Sequence, residues 1–231
     1  MRVAGLARCS TVDFPGELAA VVFTPGCNFD CFYCHNRTLL GRATPSEPVD
    51  DVLEFLGKRR GRLDAVVLSG GEPTLQPGLA DFLAAVRGLG YRIKLDTNGS
   101  RPEVLEDLVV RGLLDFVAVD FKAPWTRYPE LCGAEAADAE AVARTLGRLP
   151  ALAIGSETRT TLVPQLARQD LEEMARSIPV QPRWILQSYR KPTVFRPEDR
   201  FRVEARPYDS AQMLEMAEAV RPIQPHVMVR M

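Results

Sequence analysis

Short apolar, β-branched runs alternate along this chain with segments of helical periodicity, and that alternation constrains the fold more than any other feature. Strand-like runs occupy residues 18–24, 63–69, 92–96, 116–120, 157–163 and 184–187, with a short closing strand at 227–229. Between them, Val49, Val52, Leu53 and Leu56 recur at helical spacing behind a Thr44-Pro45-Ser46 start signal. Leu79, Phe82, Leu83, Val86 and Leu89 form a second such face that ends at Gly90. Residues 102–111, 134–149, 170–178 and 210–220 read as further helices. Near-continuous apolar strands joined through helices imply a parallel sheet built by right-handed crossovers. Six strand–helix units can be counted, fewer than a closed barrel needs. The expected architecture is therefore α/β, a single domain over residues 1–231 shaped as an incomplete, curved (β/α)6 barrel. A doubly wound open sheet is the alternative, since periodicity does not separate the two. The Pro- and Arg-rich residues 190–207 are predicted to form the longest loop.

The formal net charge is −1, so no long-range field draws the whole chain to nucleic acid or to an anionic membrane. The one local basic run, Lys58-Arg59-Arg60-Gly61-Arg62, follows an apolar helical pattern and reads as a solvated helix C-terminus. The first eight residues lack the apolar core of a signal peptide, and no apolar run is long enough to cross a bilayer. A cytoplasmic location is expected, where thiols stay reduced and clustered cysteines indicate metal or redox chemistry rather than a disulfide framework.

Three of the five cysteines fall within eight residues, in the segment Thr24-Pro25-Gly26-Cys27-Asn28-Phe29-Asp30-Cys31-Phe32-Tyr33-Cys34-His35-Asn36. Three thiolates so spaced can each ligate a different iron of one compact cluster. A four-iron cluster held by three cysteines leaves one iron free to bind a small chelating substrate. A structural zinc site would want a fourth ligand, and His35 beside Cys34 is poorly placed to supply it, while His226 is remote in sequence. Cys9 and Cys132 read as buried structural cysteines, too few to build a second cluster. Other polar and glycine-rich motifs also follow strands: Gly70-Gly71-Glu72-Pro73 after Ser69, Thr97-Asn98-Gly99 after Asp96, and Lys122 after Asp120. In parallel α/β folds the C-terminal ends of the strands form the reactive face, so these motifs are expected to converge.

The Cys-x-x-x-Cys-x-x-Cys pattern, with Tyr33 before the third cysteine, resembles the radical S-adenosylmethionine (SAM) superfamily. Thr11-Val12-Asp13-Phe14-Pro15-Gly16, Gly71-Glu72-Pro73-Thr74-Leu75-Gln76, Lys94-Leu95-Asp96-Thr97-Asn98-Gly99 and Asp120-Phe121-Lys122 extend the resemblance over nearly the whole chain. Together they look most like the glycyl-radical-enzyme activases that serve anaerobic ribonucleoside-triphosphate reductase. The resemblance implies the incomplete TIM-like barrel of the radical SAM type. It implies a [4Fe–4S] cluster on Cys27, Cys31 and Cys34 and reductive cleavage of SAM to a 5′-deoxyadenosyl radical. It further implies hydrogen-atom abstraction from a glycine of a partner enzyme, with a flavodoxin or ferredoxin type reductant and no nucleic acid or membrane partner. A radical enzyme acting on a small molecule, similar to 7-carboxy-7-deazaguanine synthase, and a non-catalytic metal-binding regulator are the alternatives.

By the same resemblance, Tyr33, Gly70, Gly71 and Glu72 belong to the SAM site, the glycine turn receiving the amino group. Asp96, Thr97, Asp120 and Lys122 would surround the carboxylate and ribose, and a monovalent cation on Asp96, Thr97 and Asp120 is a further candidate. Alternation on the strand sends Arg159 and Thr161 to one face, where an inward arginine needs a carboxylate partner. Gln187 ends the next strand and is expected to face the site. Activases of the pyruvate formate-lyase type often carry a histidine just beyond that strand, where this chain has Ser188-Tyr189-Arg190.

Overall fold

A computed structural model describes residues 1–41, 44 and 46–231 of the chain. Its eight strands form one sheet in sequence order. β1 (Gly5–Ser10) runs antiparallel to β2 (Ala19–Thr24). β3 (Ala65–Gly70), β4 (Arg92–Thr97), β5 (Phe116–Asp120), β6 (Gly155–Leu162), β7 (Trp184–Ser188) and β8 (Val227–Arg230) continue parallel to β2. α1 (Val49–Lys58) joins β2 to β3, and α2 (Leu79–Gly88) and α3 (Pro102–Val110) follow β3 and β4. α4 (Tyr128–Cys132) and α5 (Ala136–Arg148) follow β5, α6 (Arg168–Arg176) follows β6, and α7 (Arg200–Val203) and α8 (Ser210–Val220) follow β7.

The strand order decides between the two expected architectures. A doubly wound sheet reverses direction at a switch point, whereas here every crossover steps to the next strand. The sheet winds as a barrel does without closing. Among the described residues β8 bonds to β7 alone, so it extends the sheet rather than closing it.

The sequence reading did not include β1. Its burial pattern contains no fully buried residue, so an edge strand of this kind leaves no run of apolar side chains. Cys9 lies on it and is exposed, contrary to the expectation of a buried structural thiol, whereas Cys132 is buried as expected. The helix expected at residues 134–149 is α5, preceded by the short α4. α7 likewise interrupts the long loop predicted over residues 190–207. At the start of α1, Pro45 lies outside the described residues. Thr44 does not cap the helix: its hydroxyl donates to Gly41 O and Thr38 O, and Pro48 holds the cap position.

The two faces of the sheet differ sharply in chemistry. Val22, Val66, Leu68, Ile93, Leu95, Val117 and Val119 belong to the main core, together with helix residues such as Leu56, Leu83, Leu105 and Val142. The opposite face begins apolar, with Ala19, Val21, Ala65 and Val67 packed around Phe14. It then turns polar: directly paired residues share a face, and Val67 pairs Lys94 while Asp120 pairs Arg159. Charged side chains therefore line the face opposite the main core.

Candidate functional site

The cysteine loop leaves β2 at Thr24, and several ties hold its shape. Asp30 N donates to Cys132 O (2.8 Å), fastening the loop to α4. Arg37 and Arg196 approach the two Asp30 carboxylate oxygens at 2.6 and 2.7 Å. Phe29, Phe32 and Tyr33 are buried between the cysteines, and the Arg202 guanidinium lies 4.1 Å over the Phe32 ring. Burial pushes the Cys27 thiol up to about 12, with the Glu72 carboxylate adding to the effect. A hydrogen bond with Cys132 and burial raise Cys31, and burial raises Cys34. Metal binding must therefore displace a proton from each sulfur.

A structural zinc site would want a fourth ligand beside the three cysteines. His35 Nε2 lies 2.8 Å from Arg190 O, and His226 sits just before β8, at the strand end remote from the cysteines. Three cysteines spread along one loop suit a cluster in which each binds a different iron.

The glycine turn after β3 is welded to this loop by its backbone. Gly71 N donates to Thr24 O and Glu72 N to Gly26 O, each at 2.8 Å. A Cβ on Gly71 would lie 2.0 Å from Gly26 O, and Gly70, at φ +112°, would meet Thr24 N and O at 2.5 Å. The glycines are needed because the cysteine loop's own backbone approaches them, a reason distinct from the cofactor access expected. Glu72 also departs from expectation. It is fully buried and accepts from Thr74 N, Thr74 Oγ1, Thr97 Oγ1 and Asn98 N, so its carboxylate struts the turns after β3 and β4 instead of facing a ligand. Burial raises its pKa and outweighs those four bonds.

The strands beyond carry an alternating ladder of charge. Lys94 Nζ lies 2.8 Å from Asp96 Oδ1, and Arg159 bridges Asp96 Oδ2 (3.2 Å) and Asp120 Oδ1 (3.0 Å). Lys122 Nζ then reaches Asp120 Oδ2 at 3.0 Å. The Lys94–Asp96 contact is an ion pair without hydrogen-bond alignment, since Asp96 Oδ1 has no hydrogen-bond partner. Arg159 thus has the carboxylate partner its inward position demands. Burial works against the Asp120 carboxylate, but Lys122 and Arg159 outweigh it and hold its pKa below the ordinary range. Burial likewise opposes the charge on Lys122, and Asp120 outweighs it and raises the pKa. Each of the four carboxylate oxygens already has a cation of the chain within 3.2 Å, so the Asp96–Asp120 pair is poorly suited to a monovalent metal cation.

These pieces surround one cavity of about 530 Å³, a size ordinary for a small-molecule or cofactor site. Every predicted site residue except Glu72 lines it, including Tyr33, Thr97, Lys122, Arg159 and Gln187. Thr161 lines it beside Arg159, as the strand alternation requires. Asn36, Asn98 and Arg190 also line it and were not singled out from the sequence. Just beyond β7, Tyr189 turns into the core and donates to Val203 O (2.9 Å), leaving Arg190 at the rim.

The radical SAM superfamily model matches residues 21–178, more than half the chain. This chain belongs to the radical SAM superfamily. Its cofactors are a [4Fe–4S] cluster and SAM, and the loop of three cysteines above a polar cavity fits both. A Methanocaldococcus jannaschii protein named as a glycyl-radical enzyme activating enzyme is 34% identical over 185 residues, covering 76% of this chain and 75% of that protein. Two further curated relatives are spanned only to 38% and 52% of their length. Among solved structures, Streptococcus suis SuiB superposes with a TM-score of 0.69 at 15% identity, covering 91% of this chain and 48% of that one. A domain of a pyruvate-formate lyase-activating enzyme from Bacteroides vulgatus gives 0.57 at 15% identity, covering 73% of this chain and 99% of that one. These two likenesses establish the shared radical SAM fold. Among the described residues, no helix is long and apolar enough to cross a membrane.

Proposed function

We propose that this radical SAM enzyme activates a glycyl radical enzyme, and that its protein substrate is an anaerobic ribonucleoside-triphosphate reductase. The observation that carries the reading is the 34% identity, over three quarters of both chains, with a protein named as a glycyl-radical enzyme activating enzyme. The unclosed sheet supports it, because a cavity at the mouth of an open barrel leaves room for a protruding protein loop. We place the protein in the cytoplasm as one radical SAM domain, supplied with electrons by a flavodoxin or ferredoxin type protein.

With both cofactors bound, the site would have one-electron chemistry able to remove a hydrogen atom from the target glycine. Cys27, Cys31 and Cys34 would hold the cluster. The Lys122 ammonium spends one contact on Asp120 and retains donors for a carboxylate in the cavity. Asp120, fixed by Lys122 and Arg159, presents an acceptor for hydroxyl groups. Buried Phe29 and Tyr33 limit water around the cysteines.

The decisive experiment is anaerobic reconstitution and reduction, followed by SAM and the reductase from the same source, with detection by EPR. A glycyl radical signal that disappears with Cys34→Ala is the expected result. Deoxyadenosine formed without that signal would exclude this partner while keeping the radical chemistry.

A further inference from the structure

Asn98 stands between the strut and the cluster loop in a fully specified orientation. Its main-chain N donates to Glu72 Oε2 at 2.6 Å, fixing the backbone. Its side-chain Oδ1 accepts from Ser100 N (2.9 Å), a donor that cannot reverse its role, so the amide cannot be flipped. Nδ2 is thereby aimed the other way, at Asn28 Oδ1 (2.9 Å) and Cys27 Sγ (3.8 Å). Asn28 is fixed in turn, its Nδ2 donating to Ser100 Oγ and Asp138 Oδ1 at 3.0 Å each. Asn98 is buried, so no bulk solvent competes for these bonds. Phe29 N also donates to Cys27 Sγ, at 3.4 Å. Two N–H groups from different parts of the chain thus face one sulfur.

We propose that Asn98 is a positioning and tuning residue, whose amide donates to the Cys27 ligand and raises the reduction potential of the cluster. Reduction adds negative charge that spreads onto the thiolate sulfurs. A donor aimed at one of them stabilises the reduced state more than the oxidised one. Asn98 also ties Cys27 to the Glu72 strut, through its main-chain N on one side and its amide on the other. The inference rests on the cluster bound at the three cysteines and is independent of which partner protein is activated.

The test is an EPR-monitored redox titration of the reconstituted holoprotein without SAM, comparing wild type with Asn98→Ala and Asn98→Asp. Asn98→Ala is expected to lower the reduced-to-oxidised ratio at a fixed poise by up to about fivefold, the ceiling set by one net hydrogen bond. Asn98→Asp keeps the acceptor for Ser100 N but loses the donor and adds charge, so its ratio should fall further. A purely structural role would lower iron content or unfolding temperature and leave the loaded fraction's potential alone, and that outcome overturns the proposal. Should neither variant load iron, protein carrying asparagine labelled with ¹⁵N at the side-chain amide gives the answer by ENDOR, read in an Asn28→Gln, Asn36→Gln background so that Asn98 carries the one labelled side chain. A ¹⁵N coupling to the reduced cluster supports the proposal, and its absence overturns it. Failure of the wild type itself to assemble a [4Fe–4S] cluster would overturn the underlying cofactor reading.

Discussion

At the scale of single residues, the charge ladder makes a measurable claim about acid stability. The folded pKa of Asp120 is depressed, because Lys122 and Arg159 outweigh its burial. Its stabilisation is therefore complete above the unfolded value, about 3.9, and is lost as pH falls through the lower folded value. Urea unfolding should show wild type more stable than Asp120→Asn at pH 6, with the gap closing below about pH 4. A gap unchanged at acid pH would mean that the side chain acts by shape and not by charge. Residue chemistry was legible where a spacing carries it: three cysteines in eight positions announce a cluster wherever the chain takes them. Asn98 and Asn36 were not legible, because what an amide does depends on which neighbour fixes its orientation. Glu72 was read as a ligand group for the same reason. Nothing in its sequence neighbourhood reveals that Thr97 and Asn98, on the next turn, take up its oxygens.

At the scale of elements, the turn after β3 and the loop after β2 form one unit joined by backbone. Gly71→Ala would put a methyl group 2.0 Å from Gly26 O, an atom held by main chain and unable to move aside cheaply. Thermal unfolding of the apo protein should fall by about 5 °C or more, with poorer iron loading on reconstitution. Gly147 is the contrast: exposed on α5, with open space where a Cβ would go. Gly147→Ala should raise the unfolding temperature by about 2 °C through the lower backbone entropy of the unfolded chain. Equal losses in the two variants would show that the Gly71 contact is not what holds the loops together. Elements were legible where they are buried on one or both faces, as with β3 and α2. β1 escaped notice because an edge strand can be stable with only partial burial.

At the scale of the molecule, the barrel could not be told from a doubly wound sheet by periodicity, because both bury strands under helices in the same way. Only strand order separates them, and the order is a property of long-range pairing. Among the described residues, the sequential sheet leaves β1 and β8 with one hydrogen-bonded neighbour strand each, while β3 to β6 have two. Hydrogen exchange of the apo protein should therefore be fastest in the two outer strands and slowest in the centre. Uniform protection across all eight strands would mean that the edges are covered in solution.

The missing ring closure has a mechanical consequence as well. In a closed barrel, strand number and stagger together dictate the radius, and widening the ring means breaking a ladder. A strip bonded along its length but free at both ends is under no such condition. It can uncurl by small changes of twist shared among seven strand junctions, each keeping its hydrogen bonds. Its aperture is a soft coordinate, one that an incoming polypeptide can stretch without melting any strand.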